Sequence, residues 1–322
     1  MLRRKKGCLR WVIINVTSKL YDESTISIIQ EFLHSNDYYP DSGWSLPESL
    51  FSYTALYEYD DAGKTRDIVD DLDDGSFTVT SPALFNDIYD STVHMNSLVA
   101  LEKVMHSAEQ TLEFPFYTGP YKEIIIDIAN TNDQNRMTDL LRPLRIKCFS
   151  TQMCSVLQWG LYADKNSGIC VEYNPQDWTS SEHCFFPIIY SSTPIDVSRF
   201  FDKSNANYNP AIGVIISSIN KGLDWKHECE WRLIQNNYDC FDVLPQRVSL
   251  CHDFKPKSVT LGMEYIHISI DSDKGFIAEK LAKWLFKNKI DSYKVDYKKG
   301  SFELHRLPVL WNDLDYGFWL CL

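Results

Sequence analysis

Two glutamates and an arginine alternate with other residues along the segment Trp225–Ile234. A β-strand here would place Glu228, Glu230 and Arg232 on one face, because side chains of a strand alternate with a period of about two. The residues that would then face the core are Cys229, Trp231 and Leu233. Adjacent carboxylates repel each other unless a cation or a ligand neutralises them, and the arginine can do part of that. The pattern therefore fits a reactive carboxylate pair in a cleft, and it fits equally well an exposed sheet face with an ion pair.

Hydroxyl side chains end a second predicted strand, residues 144–149. Ser150 and Thr151 follow it directly, and a helix is predicted over residues 154–165. Because this helix is apolar on nearly all sides, we expect it to be buried.

The predicted helix 154–165 carries aromatic and aliphatic residues on different faces. Trp159 and Tyr162 lie three residues apart and share one face, whereas Leu157 and Leu161 share another. We expect the two aromatic residues to border the cleft of the carboxylates and the two leucines to pack inward. A helix that serves only as core is the alternative.

A polar turn, Leu84–Asp90, follows a third predicted strand, 77–80. Asn86 capping its own backbone would account for much of this turn. Loop residues nevertheless often carry binding groups, so Asn86 and Asp87 are candidate substrate-binding residues.

The composition limits the class of protein. The chain has 322 residues, of which 44% are hydrophobic and 14% aromatic, and this is enough to bury a large core. A net charge of −12 argues against a broad surface that binds nucleic-acid phosphates, since such a surface needs clustered lysines and arginines. The basic cluster Arg3–Lys6 is interpreted as a solubilising tail.

The cysteines and the apolar runs indicate the compartment. Nine cysteines occur without a Cys-x-x-Cys pair or a zinc-like spacing with histidine, so we expect reduced thiols and no metal. A signal peptide and a membrane span are not expected, because the apolar runs are short and interrupted. These features predict a cytoplasmic protein without a membrane partner.

The pattern of elements predicts an α+β fold. We expect a mixed, mainly antiparallel β-sheet with helical insertions, because many short strands alternate irregularly with helices. The predicted helices are 22–34, 96–112, 120–141, 154–165, 209–220 and 275–287. Residues 1–50 are predicted to form a helical N-terminal extension, and residues 51–322 a single α+β domain.

An acidic segment, Asp60–Gly75, separates two predicted strands, Phe51–Tyr59 and Phe77–Thr80. It carries seven aspartates against two basic residues. These acids lack the spacing of metal ligands, so we interpret the segment as a solvated face.

Five ordered motifs resemble those of a family of bacterial proteins known as domain of unknown function 2971. The motifs are Tyr57-Glu-Tyr59, Phe85–Asp90, Cys148–Ser150, Gln158–Ala163 and Trp225–Arg232, with a further match at Leu261-Gly262. The chain departs from the family pattern at Ile88, where the family has proline, at Gln158, where it has methionine, and at Asn166, where histidine is frequent. This resemblance implies no activity.

A weaker resemblance, to ADP-ribosyltransferases, implies a reaction. These enzymes have a strand that ends in a hydroxyl-rich trio, an aromatic helix and a late Glu-x-Glu motif. Phe149–Thr151, Tyr162-Ala163 and Glu228-Cys-Glu230 are similar in order. The first-strand arginine or histidine would be replaced by Tyr57 or Tyr59.

The resemblance to ADP-ribosyltransferases implies roles for the candidate residues. Glu230 would stabilise the oxocarbenium-like ion that forms when the nicotinamide–ribose bond of NAD breaks, and Glu228 would orient or deprotonate the acceptor. Ser150 would brace Glu230 or the ribose, and Trp159 or Tyr162 would stack on nicotinamide. The remaining candidates for NAD binding are Tyr57, Tyr59, Thr151 and Arg232, and the acceptor side would be lined by Asn86 and Asp87.

Three hypotheses follow. The first is an NAD-dependent ADP-ribosyltransferase or NAD glycohydrolase, acting on an unknown macromolecular acceptor as a toxin or defence effector with an antitoxin or other defence partner. The second is a metal-dependent phosphodiesterase or nuclease that uses Asp87, Asp90, Glu228 and Glu230. The third is a non-catalytic module that binds a nucleotide or a protein.

Overall fold

Eight strands form one mixed, mainly antiparallel sheet, which confirms the predicted α+β class. The computed structural model describes residues 23–41, 43–59, 65–82, 85, 87, 90, 141, 144–177, 184–202, 205–236, 248–251, 254–269 and 271–309. The predicted helices 96–112 and 120–141 lie outside the described residues except for Leu141.

Fourteen strands lie in the described part of the chain. They are β1 (Leu50–Thr54), β2 (Tyr57–Tyr59), β3 (Thr65–Asp67), β4 (Ser76–Val79), β5 (Leu144–Ser150), β6 (Ile169–Tyr173), β7 (Cys184–Pro187), β8 (Ile189–Ser191), β9 (Asn220–Gly222), β10 (Glu230–Asn236), β11 (Val248–Cys251), β12 (Ser258–Leu261), β13 (Asp291–Tyr297) and β14 (Leu304–Pro308). The order in the large sheet is β14-β13-β12-β6-β1-β5-β10-β7. In this sheet β12 and β13 are parallel, and the neighbouring pairs otherwise run antiparallel.

Six α-helices and three 3₁₀-helices surround the sheet in the described part of the chain. The α-helices are α1 (Glu23–Ser35), α2 (Ile68–Asp74), α3 (Val156–Tyr162), α4 (Ser198–Phe201), α5 (Pro210–Ser218) and α6 (Asp273–Asn288), and the 3₁₀-helices are Pro175–Asp177, Leu223–Glu228 and Met263–His267. None of the described helices has the length and apolar character that crossing a bilayer requires.

The two faces of the sheet are covered by different helices. On one face, Phe149 of β5 and Trp231 of β10 are paired, and they share a buried cluster with Leu72 of α2 and Leu281 of α6. On the other face, α1, α4 and α5 pack over the β5 and β10 end, and α3 packs through Trp159 against β6. Residues on neighbouring positions of β5 and β10 therefore face opposite layers, because strand side chains alternate.

The sheet is joined only weakly at its centre. Strand β1 shares five residue pairs with β6, and β5 shares seven with β10. Strands β1 and β5 share the single pair Phe51 and Ser150. Beyond this pair the two strands diverge from each other.

Helix α1 packs into the core despite the polar residues that follow it. Ile29 and Leu33 are fully buried together with residues of α5, and the rings of Phe32 and Phe200 meet edge to face at 4.9 Å. That residues 51–322 form a domain separate from residues 1–50 stays a prediction.

Two local expectations were wrong. Helix α3 is not buried on all sides, because Leu157 and Leu161 are 54% and 55% exposed. Its buried face is instead formed by Trp159 and Gln158, whose side-chain N–H groups donate to backbone carbonyls. The predicted strand Phe51–Tyr59 is broken into β1 and β2, and β2 pairs with β3 outside the large sheet.

Glu172 of β6 links three parts of the sheet. Its carboxylate accepts hydrogen bonds from Ser49 before β1 and Ser258 of β12, and it forms ion pairs with Lys257 and Arg306 of β14. Burial alone would raise the pKa of Glu172, but the hydrogen bonds of these four partners outweigh it and lower that pKa to about 2.

The lowered pKa of Glu172 predicts a dependence of stability on pH. The charged carboxylate stabilises the fold above the pKa of an unfolded glutamate, about 4.3, and this contribution is lost as the pH falls through the folded pKa. The wild type should therefore exceed Glu172→Gln in free energy of unfolding at pH 7, and the difference should shrink towards pH 2. Urea unfolding at several pH values measures it, with exposed Glu264→Gln as a control that should show no such trend.

Close backbone packing predicts a second effect on stability. A Cβ atom at Gly262 would lie 2.1 Å from the carbonyl oxygen of Asn166, which sits in a left-handed turn with φ 70° and accepts the amide of Glu264. Gly262→Ala should lower the free energy of unfolding by about 1–3 kcal/mol through overpacking.

The matched control is Gly160→Ala in α3, where an added Cβ meets nothing within 4 Å. Alanine favours helix over glycine, so this variant should keep or raise the stability by up to about 1 kcal/mol. Equal thermal midpoints for Gly262→Ala and the wild type would contradict the packing argument.

Candidate functional site

A cavity of about 430 Å³ lies where β1 and β5 part. Its walls include Ser52 and Thr54 on β1 and Cys148 and Ser150 on β5. It also touches α2 on one face of the sheet and the paired residue Glu230 on the other, so it passes from face to face between the two strands. The volume falls within the range of about 300–1,000 Å³ typical of small-molecule sites.

Five charged groups meet at one end of this cavity. Lys221 Nζ lies 2.5 Å from Glu228 Oε2, 2.9 Å from Glu230 Oε2 and 3.6 Å from Asp90 Oδ2. Arg232 Nε lies 2.7 Å from Glu230 Oε1. The side chains of all five are at most 6% exposed, so we call them the ionic cluster. Three carboxylates against two cations leave one formal negative charge.

Arg232 sits at the centre of the ionic cluster and is fully buried. Its NH1 and NH2 groups donate to the two carboxylate oxygens of Asp90 at 2.8 and 2.6 Å, which is a bidentate pair. NH1 also donates to the carbonyl of Ser218, the last residue of α5, at 2.7 Å. A cation at the C-terminus of a helix is stabilised by the helix dipole, so the apolar helix α5 helps to hold the charge.

Lys221 reaches the ionic cluster through the small parallel pair β8 and β9. Helix α5 ends at Ser218, and β9 then places Lys221 opposite Tyr190 of β8. The hydroxyl of Tyr190 accepts the amide of Glu230 at 2.9 Å. Sequence reasoning missed both residues. The available signal was a single lysine directly after a strongly apolar stretch, which indicates a buried partner.

Glu228 belongs to the ionic cluster, but it does not lie on the strand where it was predicted. It ends a 3₁₀-helix, and Cys229 follows with φ 47°, so Glu228 is not part of β10. The expectation that all three residues alternate along one strand is therefore wrong for Glu228 and confirmed for Glu230 and Arg232. The turn at Cys229 nevertheless returns Glu228 to the same side, where Lys221 bridges both carboxylates.

A polar network fixes the backbone of Glu228. Its carbonyl oxygen accepts from Ser150 Oγ and Gln158 Nε2, both at 2.7 Å. Its carboxylate Oε1 accepts from Tyr162 Oη at 2.6 Å. Ser150, Tyr162 and Glu230, which were predicted to share a cleft, thus come together, and Tyr162 borders it as expected.

The ionic cluster shifts the acidity of its members. Burial alone would raise the pKa of Glu230, but the charges of Arg232 and Lys221 outweigh it and lower that pKa to about 2. Burial alone would lower the pKa of Lys221, but the carboxylates, Glu230 first, raise it well above its ordinary value. Glu230 and Lys221 therefore stay charged at neutral pH. Cys148 is exposed and lines the cavity, and desolvation of its thiol there, followed by the charge of Glu230, raises its pKa.

Some predicted binding residues lie elsewhere. Trp159 is 0% exposed, donates to the carbonyl of Met153 and packs on Tyr53, so the expectation that it borders the cleft was wrong. Thr151 lines a second cavity of about 200 Å³ together with Cys229 and Glu230.

The remaining candidates are partly covered by the structure. Tyr57 lines the main cavity. Asp87 is described, but it is not among the residues that line the cavity, whereas Asp90 is. Asn86 and the side chain of Tyr59 lie outside the described residues.

The segment that matches a family model contains most residues of the ionic cluster. Residues 158–233 match a family model described as protein of unknown function DUF2971. This confirms the first resemblance over that segment, which includes Gln158, Lys221, Glu228 and Arg232. Comparison with curated proteins and with solved structures gave no match. The resemblance to ADP-ribosyltransferases stays a prediction.

The ionic cluster predicts a large effect of one substitution. Arg232→Met keeps much of the side-chain length but removes the charge that Asp90 and Glu230 share. Breaking a buried ion pair leaves uncompensated charge, so the free energy of unfolding should fall by about 3–5 kcal/mol, as measured by urea unfolding.

Lys226→Met is the control for the loss of a surface ion pair. Lys226 Nζ lies 3.1 Å from Asp41, but both side chains are more than half exposed. Such pairs contribute about 0–1 kcal/mol. Similar losses in the two variants would show that the ionic cluster does not depend on Arg232.

Proposed function

We propose that the protein is an NAD-dependent enzyme of the ADP-ribosyltransferase type, which cleaves the bond between nicotinamide and ribose. The observation that carries the proposal is the convergence of Tyr162, Glu228 and Glu230 on one end of the cavity between β1 and β5. An aromatic hydroxyl beside two carboxylates is chemistry suited to a sugar that develops positive charge.

The reaction needs a negative field and a way to remove one proton. When the C–N bond breaks, nicotinamide leaves with the electron pair and the ribose becomes an oxocarbenium-like cation. A nucleophile then forms a new bond to the same carbon and loses its proton to a base. With water as nucleophile the enzyme is an NAD glycohydrolase, and with a macromolecule it is a transferase.

The contacts of the two glutamates favour a division of labour. Glu230 is held by Arg232, Lys221 and the hydroxyl-bearing strand end at Ser150, and its lowered pKa keeps it charged. Its role in the proposal is a fixed negative charge. Glu228 has a neutral partner, Tyr162, on Oε1, so that oxygen can exchange this hydrogen bond for one to a ribose hydroxyl or to the acceptor.

The charges of the described cavity wall are compatible with a diphosphate only near its two lysines. Lys147 and Lys221 both line the cavity. Lys147 lies on β5, the strand that borders the gap, two residues before Phe149 and hence on the face of the sheet that α2 covers. We assign Lys147 to the diphosphate, because it is a cation of the cavity wall at the gap through which the ligand would pass.

The position of Lys221 argues against the phosphodiesterase hypothesis. Its ammonium group lies among Asp90, Glu228 and Glu230, where a divalent cation bridging these carboxylates would have to lie. Such a site would need Lys221 to leave and a buried ion pair to break. The proposal for the acceptor, and for a toxin or defence role with a partner protein, rests on the resemblance alone.

Glu228→Gln tests the proposal. The amide keeps the size of the side chain but removes the charge, so release of nicotinamide from NAD should fall by about 10²–10³-fold. Tyr162→Phe should lower it less, by about tenfold, because one hydrogen bond to a carboxylate is lost while the charge stays. Nicotinamide is followed by chromatography with saturating NAD.

The controls separate chemistry from folding and from metal-dependent hydrolysis. Glu264→Gln, at an exposed position of a 3₁₀-helix, should keep full activity. Thermal unfolding confirms that each variant is folded. Full turnover in Glu228→Gln would refute the proposal. Nuclease activity that requires a divalent metal, without nicotinamide release, would favour the phosphodiesterase, and NAD binding without cleavage by the wild type would favour a binding module.

A further inference from the structure

The end of the cavity opposite the ionic cluster carries a different set of polar groups. Asp71 of α2 lines this end and is only 6% exposed. Ser76 and Thr78 of β4 also line it, and their hydroxyls lie 3.4 and 3.2 Å from the two carboxylate oxygens of Asp71. The expectation that Asp60–Gly75 is a solvated face was therefore wrong for Asp71.

The local fold turns Asp71 towards the cavity. Helix α2 is capped by Asp67, which accepts the amide of Asp70, and it ends at Gly75 in the left-handed conformation with φ 60°. Asp67 is paired with Lys280 of α6 at 2.7 Å, and Trp284 of the same helix donates to Asp73. These contacts hold the outer acids of α2 against α6 and leave Asp71 on the face towards the sheet.

The two ends of the cavity lie on opposite faces of the sheet. Leu72, next to Asp71, packs in the cluster of Phe149 and Trp231, whereas Glu230 is on the other face of β10. A ligand that contacts both ends must pass between β1 and β5. It must also be long and carry polar groups at both ends, as a dinucleotide does.

We propose that Asp71, with Ser76 and Thr78, binds the hydroxyls of the adenosine ribose of NAD and excludes the 2′-phosphate of NADP. This inference rests on the proposed function. A buried carboxylate accepts hydrogen bonds from ribose hydroxyls, and the same interaction selects NAD in other dinucleotide sites. Serine and threonine hydroxyls both donate and accept, which suits a sugar diol. A phosphate in the same place would meet a like charge at low solvent exposure.

The test uses ligands that cannot be cleaved at the nicotinamide bond. ADP-ribose and its adenosine 2′-phosphorylated counterpart are titrated into the wild-type protein by calorimetry. We expect ADP-ribose to bind at least about tenfold more tightly, because one charge repulsion and one charged hydrogen bond separate the two ligands. Equal affinities, or tighter binding of the phosphorylated ligand, overturn the inference without any variant.

Asp71→Asn identifies the residue responsible. The amide keeps the shape but removes the charge, so ADP-ribose should bind about tenfold more weakly and the difference between the two ligands should shrink severalfold. Asp74→Asn is the matched control, because Asp74 lies on the same helix and is exposed. An unchanged ratio in a folded Asp71→Asn variant assigns the selectivity elsewhere and overturns the role of Asp71.

Failure of this inference differs from failure of the proposed function. If NAD is cleaved but ADP-ribose and its phosphorylated counterpart bind equally, only the assignment of Asp71 is wrong. If ADP-ribose binding depends on Asp71 but nicotinamide is never released, the subsite stands and the proposed chemistry is wrong. If neither ligand binds and NAD is not cleaved, both are wrong.

Discussion

The buried guanidinium of Arg232 is the constraint on which the rest of the site depends. A permanent charge with no exposed surface needs opposite charge in direct contact, and Asp90 and Glu230 supply it. The carboxylates of the ionic cluster carry more negative charge than the one positive charge of Arg232 balances, and the ammonium group of Lys221 offsets part of the excess. Because these partners come from β9, β10 and the turn at Asp90, burial of one charge fixes three separate parts of the chain around one end of the cavity.

The gap between β1 and β5 is the second constraint. Backbone groups at the edge of a strand need hydrogen-bond partners, and these two strands pair only at Phe51 and Ser150, while Thr80 pairs with Ile146 further along β5. The gap is lined by polar side chains such as Ser52, Thr54 and Ser150. On one side of the gap lies the apolar layer of α2 and α6, and on the other side lies the ionic cluster. The two ends of the cavity therefore differ in their chemistry.

The sequence predicted the secondary elements better than the site. The helix predicted over residues 275–287 and the class of fold followed from local patterns, because period and turn residues act over a few positions. Lys221, Tyr190 and Asp71 did not follow, since their roles arise from side-chain contacts between separate elements, which the period of a single element does not encode. The prediction that Glu228 lies beside Glu230 was right, but its basis was wrong. The left-handed turn at Cys229 brings the two together, and the alternation of side chains along a strand gives no sign of such a turn.

Glu230 contributes to both cavities, so it separates two spaces instead of lining one. Glu230 pairs with both Lys221 and Arg232, so the loss of any one of these three charges would leave the other two without their balance of charge. Evolutionary substitutions at Asp90, Lys221, Glu230 and Arg232 should consequently be correlated. Replacing one of these residues by an apolar one leaves buried charge unpaired, so the fold regains stability only when the other three are replaced as well. The cluster would then be inherited as a unit or lost as a unit.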